Sequence, residues 1–343
     1  MTSEGLEALG SMDRFAINGF VEPLKRFPEL LGILRHLERT YAQTPPDVFV
    51  GVDFNVFNLL LERCLKRRGI RTVHYVSPSV YAWRRGRIRR IGRAADLVLA
   101  LYPFEPELYA ARGVAAEFVG HPMADEVEPV ADLDGVRTRL GLPLDATIVA
   151  LLPGSRLSEI ELMAEAFLDT AELLREQRPN VVFVVPCVTA RIRAAMAERL
   201  ARRASLDVRL FDGHARLPLS AADAALVKSG TGTLEAMLLR KPMVVTYRLP
   251  TVSYHLVKAL KRSEFVALPN ILAGRALVPE LLQDAATPEA MAAALLAELS
   301  RTGSSAVLDE FARLHAVLRR GANERAAEAV LSVARRVAGS VAT

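Results

Sequence analysis

Short apolar runs rich in β-branched residues alternate with stretches of helical periodicity from residue 47 to residue 247. Strands that recur about every 20 to 25 residues with helices between them are typical of βαβ units and parallel sheets. The predicted strands lie at 47–52, 71–75, 96–101 and 116–119, and then at 147–152, 181–185, 207–211, 224–227 and 243–247. The alternation therefore predicts an α/β protein.

The strand pattern lapses between Met123 and Ala146, where the sequence is acidic, contains proline and holds one short helical stretch. We expect this segment to connect two doubly wound Rossmann-like domains that face each other across a cleft, with ligands at the carboxyl ends of the strands. The expected boundaries are 1–123 for the N-terminal domain, 124–146 for the linker, 147–320 for the C-terminal domain and 321–343 for a terminal helix.

Composition excludes several classes of protein. Hydrophobic residues make up 51% of the chain and charged residues 24%, as in a compact globular protein and unlike a disordered one. No apolar run approaches the roughly 18 residues that cross a bilayer, and residues 1–12 do not read as a secretion signal, so we expect a cytosolic protein. Cys64 and Cys187 lie outside any paired-cysteine motif, which predicts neither a disulfide framework nor a zinc site.

Two loops in the second half have the residues expected of a diphosphate site. In Leu-Pro-Gly-Ser-Arg, which ends at Arg156, Gly154 admits a close ligand, Ser155 offers a hydroxyl and Arg156 offers a forked donor at a helix start. An ordinary strand-to-helix turn is the alternative. The second loop opens another helix and contains Ser229, Gly230, Thr231, Gly232, Thr233 and Glu235. A capping box is excluded because the residue three before Glu235 is glycine, so the two loops together predict a nucleoside diphosphate.

The first half offers a candidate base and an arginine-rich segment. Asp53 follows the first predicted strand and is either a general base in the cleft or the N-cap of the next helix. The segment from Tyr75 to Trp83, with Ser77 and Ser79, precedes six arginines between residues 84 and 93. The whole chain has a net charge of +5, and this segment suits a phosphorylated amphiphile or an anionic membrane surface; a solvated arginine-rich helix is the alternative. His121 is either structural or catalytic.

Six motifs together resemble the lipid-A-disaccharide synthase family: they lie at 75–83, 103–105, 119–122, 152–156, 229–235 and 268–274. The resemblance implies an inverting, metal-independent, two-domain glycosyltransferase of the GT-B class that needs no cofactor. Such an enzyme joins UDP-2,3-diacylglucosamine to 2,3-diacylglucosamine 1-phosphate, forms a β-1,6-linked disaccharide and releases UDP. The resemblance further implies that the enzyme acts at the anionic cytoplasmic face of the inner membrane and does not bind nucleic acid. Whether it forms a homodimer is left open.

The resemblance also implies roles for single residues. Asp53 matches the candidate base, Arg156 the essential arginine of the diphosphate site, Asn270 a required asparagine and Glu235 a nucleotide-contacting glutamate. Tyr75, Ser77, Ser79 and Trp83, with the hydroxyl and glycine residues of the two loops, are expected to bind substrate.

The chain departs from the family pattern in two places. The family opens with a strand and a Gly-Glu-x-Ser-Gly-Asp loop, and this sequence reads as if it starts after them, so we expect the N-terminal sheet to lack its first βα unit. The family segment Ile-Asp-Ala-Pro-Asp-Phe-Asn reads Val-Asp-Phe-Asn-Val-Phe-Asn here, with Val56 at the second acid. A catalytically impaired paralogue that binds UDP-sugar or lipid, and a UDP-GlcNAc 2-epimerase, are the alternative functions.

Overall fold

The computed structural model describes residues 27–78, 85–129, 132–248, 264–300 and 305–335. Within these residues the chain forms two parallel sheets with helices packed on them. The first sheet has the order β1-β2-β3-β4, and its strands are β1 (Phe49–Val52), β2 (Thr72–Tyr75), β3 (Leu97–Ala100) and β4 (Ala116–Phe118). The α/β class predicted from the sequence is confirmed.

The first helix of this half precedes β1, and the others lie between the strands or after β4. The helices are α1 (Phe27–Gln43), α2 (Asn55–Arg67), α3 (Ile88–Ala94), α4 (Glu105–Ala110), α5 (Pro122–Glu126) and α6 (Leu133–Arg139), with a 3-10 turn at Arg85–Arg87. Successive right-handed crossovers in one direction place connecting helices on one face of a sheet. Side chains of β2 alternate accordingly, because His74 points towards α2 while Val73 and Tyr75 point to the other face.

The second sheet has the order β10-β9-β8-β5-β6-β7, so its strand order reverses between β5 and β8. Its strands are β5 (Thr147–Leu152), β6 (Val181–Cys187), β7 (Val208–Asp212), β8 (Ala224–Lys228), β9 (Met243–Tyr247) and β10 (Glu280–Leu282). The helices are α7 (Leu157–Gln177), α8 (Ala190–Leu200), α9 (Arg216–Ser220), α10 (Thr231–Leu238), α11 (Leu268–Ala273), α12 (Pro288–Ser300), α13 (Ser305–Leu318) and α14 (Ala322–Arg335). The central strands are buried on both faces, as parallel strands between helices must be.

Two segments connect the halves, and they touch each other. Residues 124–146, expected as a linker, contribute Ala124, Val127 and Leu142 to the core of the second half. The chain returns through α14, whose Ala329 and Val333 pack on the open face of the first sheet. The carboxylate of Asp125 accepts hydrogen bonds from the N–H groups of Gly321 (3.0 Å) and Ala322 (2.6 Å), which caps α14 beside α5. The expected domain boundaries remain a prediction.

None of the described helices is both long and apolar enough to span a bilayer.

Candidate active site

Two loops meet where the strand order of the second sheet reverses. The strands β5 and β8 are neighbours, although β6 and β7 separate them in sequence. Gly154, Ser155 and Arg156 follow β5, and Ser229 and Gly230 follow β8. Ligands of open α/β sheets bind at such a reversal, outside the carboxyl ends of the strands. The two diphosphate loops predicted from the sequence therefore lie side by side at the position expected of a ligand site.

An ion pair joins these two loops. The Lys228 Nζ atom lies 2.9 Å from Oε1 of Glu159. The other carboxylate oxygen accepts hydrogen bonds from the N–H groups of Ser155 at 2.9 Å and Arg156 at 3.3 Å. Burial alone would raise the pKa of Glu159, but the hydrogen bond and charge of Lys228 hold that pKa below its ordinary value. Glu159 is thus an ionised anchor that holds both loops.

Arg156 lies at the solvent side of this anchor. Its side chain is 65% exposed, and its Nη1 atom lies 3.2 Å from Glu159 Oε1. Gly154 has a φ of 151°, and a Cβ at this position would lie 2.4 Å from the Cβ of Glu159, so the turn requires glycine. The start of α7 adds a helix dipole that favours an anion. A diphosphate here would meet Arg156, Lys228 and the N-termini of α7 and α10.

Two hydroxyl groups of the second loop are engaged within the protein. The Ser229 Oγ atom donates to the carbonyl of Val266 at 3.0 Å. The Thr233 Oγ1 atom donates to the carbonyl of Gly230 at 2.7 Å and accepts from the N–H of Leu268 at 3.3 Å. These bonds attach the segment before α11 to the start of α10. We therefore infer that Ser229 and Thr233 shape the loop more than they contact a ligand.

The start of α10 keeps ligand-binding groups at its surface. Gly230 is its N-cap, and Thr231 is exposed. A helix start leaves its first N–H groups without intrahelical partners, so Thr231 and Gly232 suit a phosphate oxygen. Glu235 lies one turn further on, with its Oε1 atom 4.0 Å from Nε of Arg216. Burial raises the pKa of Glu235 and the charge of Arg216 opposes this shift.

Asn270 is fully engaged inside the protein. It is 1% exposed, its Nδ2 atom donates to the Val278 carbonyl and to Glu280, both at 2.9 Å, and its Oδ1 atom accepts from the N–H groups of Leu277 at 2.7 Å and Val278 at 2.8 Å. These four bonds satisfy the hydrogen-bonding capacity of the amide. The geometry therefore favours a role in holding α11 next to β10 over direct contact with substrate.

Asp53 lies at the carboxyl end of β1, with its side chain exposed. It is not the N-cap of α2, since that position is Phe54, so this alternative is wrong. Asp53 and Phe54 have φ angles of 47° and 38°, in the left-handed region that costs about 1 to 3 kcal/mol per residue and clusters at functional sites. The Asn58 side chain donates to the carbonyls of Val52 at 3.0 Å and Asp53 at 2.8 Å, which holds the strained turn.

The remaining predicted residues of the first half occupy different surroundings. The Ser77 hydroxyl lies 2.9 Å from the Tyr109 hydroxyl. Burial raises the pKa of the neighbouring Glu105 to about 8, so this carboxyl is mostly protonated at neutral pH. Tyr75 is half-buried and packs on the α14 side of the sheet. Ser79 and Trp83 lie outside the described residues.

His121 has a structural position. Its Nδ1 atom accepts a hydrogen bond from the N–H of Met123 at 3.2 Å and so caps α5. Burial lowers the pKa of His121 to about 4, and its ring centroid lies 5.7 Å from that of Tyr102. The imidazole is therefore neutral at physiological pH and serves as an acceptor for the backbone.

An apolar groove with an arginine rim lies beside the Asp53 loop. Its volume is about 300 Å³, and its lining comprises Asn55, Val56, Leu59, Leu60, Arg63, Pro78, Arg87, Arg90 and Ile91. Val56 and Leu60 expose 67% and 48% of their surface. The arginine-rich segment contributes through α3, which buries Ile91 and exposes Arg90. Large exposed apolar side chains that are contiguous mark a binding surface for apolar groups.

Sequence reasoning missed the residues that link these features. Glu159, Lys228 and the buried pair of Glu62 and His74 acquire their roles from contacts between distant parts of the chain. The position of Glu159 three residues after the N-cap of α7 was the one local signal. In the described part of the chain, no group of three His, Cys, Asp or Glu side chains could hold a metal ion.

Comparison with known proteins gives a family match over most of the chain. A family model described as lipid-A-disaccharide synthetase matches residues 1–333. The lipid-A-disaccharide synthase of Methylobacillus flagellatus is 46% identical over 335 residues, which cover 97% of this chain and 89% of that protein. The protein of that name from Pseudomonas aeruginosa is 47% identical over 336 residues, with 98% and 88% covered.

Solved structures with a similar fold are more distant in sequence. The kitacinnamycin glycosyltransferase has a TM-score of 0.62 at 19% identity, covering 97% of this chain and 88% of its own. The UDP-GlcNAc 2-epimerase of Neisseria meningitidis, bound to UDP-GlcNAc, has a TM-score of 0.59 at 13% identity, covering 88% and 81%. These likenesses confirm the two-domain GT-B fold, which glycosyltransferases and epimerases share.

Proposed function

The chain belongs to the lipid-A-disaccharide synthase family and is a glycosyltransferase that forms the lipid A disaccharide, and we propose that its substrates meet between Asp53 and the paired loops of the second half. UDP-2,3-diacylglucosamine binds with its diphosphate at Arg156 and Lys228, and 2,3-diacylglucosamine 1-phosphate binds at the Asp53 side. The observation that carries this assignment is the convergence of two loops and two cations at the strand reversal of the second sheet.

The proposed chemistry is a single displacement. The acceptor 6-hydroxyl attacks C1 of the donor sugar while Asp53 takes the hydroxyl proton, and the bond from C1 to the diphosphate oxygen breaks. UDP departs with the bonding electrons. Arg156, Lys228 and the start of α10 stabilise the charge that develops on the diphosphate. Glu235, one turn into α10, is placed to accept hydrogen bonds from the ribose hydroxyls.

The groove beside Asp53 receives the acyl chains of the acceptor at an anionic membrane surface. Its wall at Val56, Leu59 and Leu60 is apolar, and its rim carries Arg63 and Arg90. Apolar side chains bind acyl chains, whereas arginines at the rim bind lipid phosphate groups. This arrangement supports a peripheral position on the inner face of the inner membrane, with Asp53 close to the bilayer.

Replacing Arg63 and Arg90 together by glutamine should weaken binding to vesicles that contain anionic lipid. Each arginine near the surface contributes about 1 kcal/mol, so the pair corresponds to a loss of about tenfold or more in partitioning at low salt. Co-sedimentation with phosphatidylglycerol vesicles measures the fraction of protein that is bound. The matched control combines Arg191→Gln on α8 with Arg202→Gln just after it, and this variant should bind as the unaltered protein does. Equal loss in both double variants would assign the effect to net charge alone.

Replacing Arg156 by alanine should weaken UDP binding by about 1.5 to 3 kcal/mol, the range for a hydrogen bond to a charged group. The exposed side chain makes the fold insensitive to this change. Calorimetric titration with UDP measures the affinity, and Arg202→Ala serves as a surface control. Unchanged affinity in the folded Arg156→Ala protein would place the diphosphate elsewhere.

Acceptor-dependent release of UDP tests the proposed function as a whole. The protein is incubated in detergent micelles with UDP-2,3-diacylglucosamine, with and without 2,3-diacylglucosamine 1-phosphate. We expect UDP only when both are present. UDP binding without release of UDP from the acylated donor would identify the impaired paralogue. In a parallel incubation with UDP-GlcNAc, conversion into its 2-epimer would identify the epimerase; either result would contradict the proposal.

A further inference from the structure

A line of hydrogen bonds runs from the interior of the first half to Asp53. The Glu62 Oε1 atom lies 2.7 Å from His74 Nδ1. The His74 Nε2 atom lies 3.0 Å from Asn55 Oδ1, and Asn55 Nδ2 lies 3.3 Å from Asp53 Oδ1. Glu62 and His74 are completely buried, whereas Asp53 is exposed. The line thus connects a buried carboxylate to the candidate base.

The local fold accommodates this line in a specific way. Asn55 and Glu62 are seven residues apart on α2, which is two turns, so their side chains lie on one face of the helix. His74 of β2 points to that face and fits between them. A Cβ at Gly51 would lie 2.0 Å from Glu62 Oε1, so the glycine in β1 leaves room for the carboxylate in this position.

The chemistry of each group determines where the protons are. A carboxylate only accepts hydrogen bonds, so the Asn55 amide must turn its NH₂ towards Asp53 and its oxygen towards His74. The His74 Nε2 atom must then carry a proton and donate it. Glu62 and His74 share one further proton between Oε1 and Nδ1, so the pair is neutral overall whichever atom holds it. Burial raises the pKa of Glu62, and its hydrogen bond with His74 opposes that shift.

Burying a carboxylate and an imidazole costs desolvation free energy. An apolar pair of similar volume in the same place often makes the fold equally stable or more stable. The outer end of this line is the hydrogen bond to the Asp53 side chain. Asp53 lies in a strained turn, and the Asn58 side chain holds the backbone of that turn. The Asn55 side chain is the group that donates to the Asp53 carboxylate. Strain of this kind persists where the surrounding structure enforces it.

We propose that Asn55, held by the buried pair of His74 and Glu62, is a positioning residue that aims the Asp53 carboxylate at the acceptor hydroxyl. The inference rests on the proposed function and adds a requirement to it. With Val56 in the same turn unable to share the work, the orientation of Asp53 depends on this amide. An error of about 1 Å in the position of a reacting group can cost roughly 100-fold in rate.

The test is a double-mutant cycle in acceptor-dependent UDP release. Asn55→Asp has nearly the same shape but cannot donate to Asp53, so we expect kcat to fall about 10- to 100-fold with KM for the UDP-sugar unchanged. In the Asp53→Asn background the same change should have almost no further effect, because its target is gone. Asn180→Ala, an exposed amide at the opposite end of the second sheet with one backbone hydrogen bond, is the matched control.

The buried pair is tested separately. His74→Gln retains a donor for Asn55, whereas His74→Leu does not, so His74→Gln should keep most of the kcat that His74→Leu loses. Circular dichroism and UDP affinity confirm that each variant is folded. Three results would overturn the proposal. They are an unchanged kcat in Asn55→Asp, a double variant whose fold-loss in kcat is the product of the two single losses, and equal activity of the two His74 variants. Turnover by the unaltered protein tests the proposed function, so the two failures are distinguishable.

Discussion

Asp53→Asn is expected to reduce kcat for disaccharide formation by at least about 100-fold, the lower range for a positioned general base. The asparagine has the same shape but cannot take the proton from the attacking hydroxyl. Val56 occupies the same turn and has no group that could replace the carboxylate. Steady-state UDP release with both substrates measures the loss, while calorimetry should show unchanged affinity for UDP.

The matched control for this variant lies just before the other end of the same strand. Asp47 is exposed at the amino end of the segment that forms β1, opposite to the cleft end, so Asp47→Asn should retain full activity. If Asp53→Asn were fully active, Asp53 would have no part in the reaction. If both variants lost activity equally, the effect would lie in the stability of the first half.

Asn270→Ala is expected to destabilise the protein by about 2 to 4 kcal/mol, since buried groups that lose a partner each cost about 1 to 3 kcal/mol. The change leaves the N–H groups of Leu277 and Val278 without their acceptor, and it removes a donor from Glu280. The midpoint of urea unfolding measures the effect. Exposed Asn180→Ala is the control and should unfold like the unaltered protein.

The resemblance to the family and the geometry assign Asn270 different roles, and this variant separates them. A protein that unfolds at a lower urea concentration but retains turnover below its transition would show that Asn270 holds α11 and β10 in place. An unchanged urea midpoint together with lost turnover would show that Asn270 contacts substrate.

The buried strands were the most predictable part of the fold. The predicted bounds 147–152 and 243–247 coincide with β5 and β9. Both strands are covered on each face by helices, so their sequences are almost wholly apolar and stand out from their surroundings. The start of the helix at Pro288 was predicted correctly, since proline marks the start of a helix, and its end was predicted to within one residue.

Elements whose pattern is weak were not predicted. The strand β10 has three residues and lies at the edge of its sheet, with none of the three fully buried. The helix α1 packs one face against α2 and exposes the rest, and no strand pattern surrounds it. Short and partly buried elements depend on tertiary contacts that a sequence window does not contain.

The same limit applies to the site. Gly154, Ser155 and Arg156 could be predicted because the residues that form a phosphate-binding turn between a strand and a helix are adjacent in the sequence. The pairing of Lys228 with Glu159, and of His74 with Glu62, joins residues 69 and 12 positions apart and depends on the neighbouring positions of strands. The residue types were visible in the sequence, but their partners were not.

The structure of the product tests the central claim most directly. The protein is incubated with both acylated substrates, and the product is examined by mass spectrometry and by nuclear magnetic resonance of the anomeric centre. A single displacement with Asp53 as base predicts a β-linked disaccharide joined at the acceptor 6-position, with one UDP released for each linkage. An α-linked product, or UDP released with the sugar hydrolysed instead of transferred, would contradict this account.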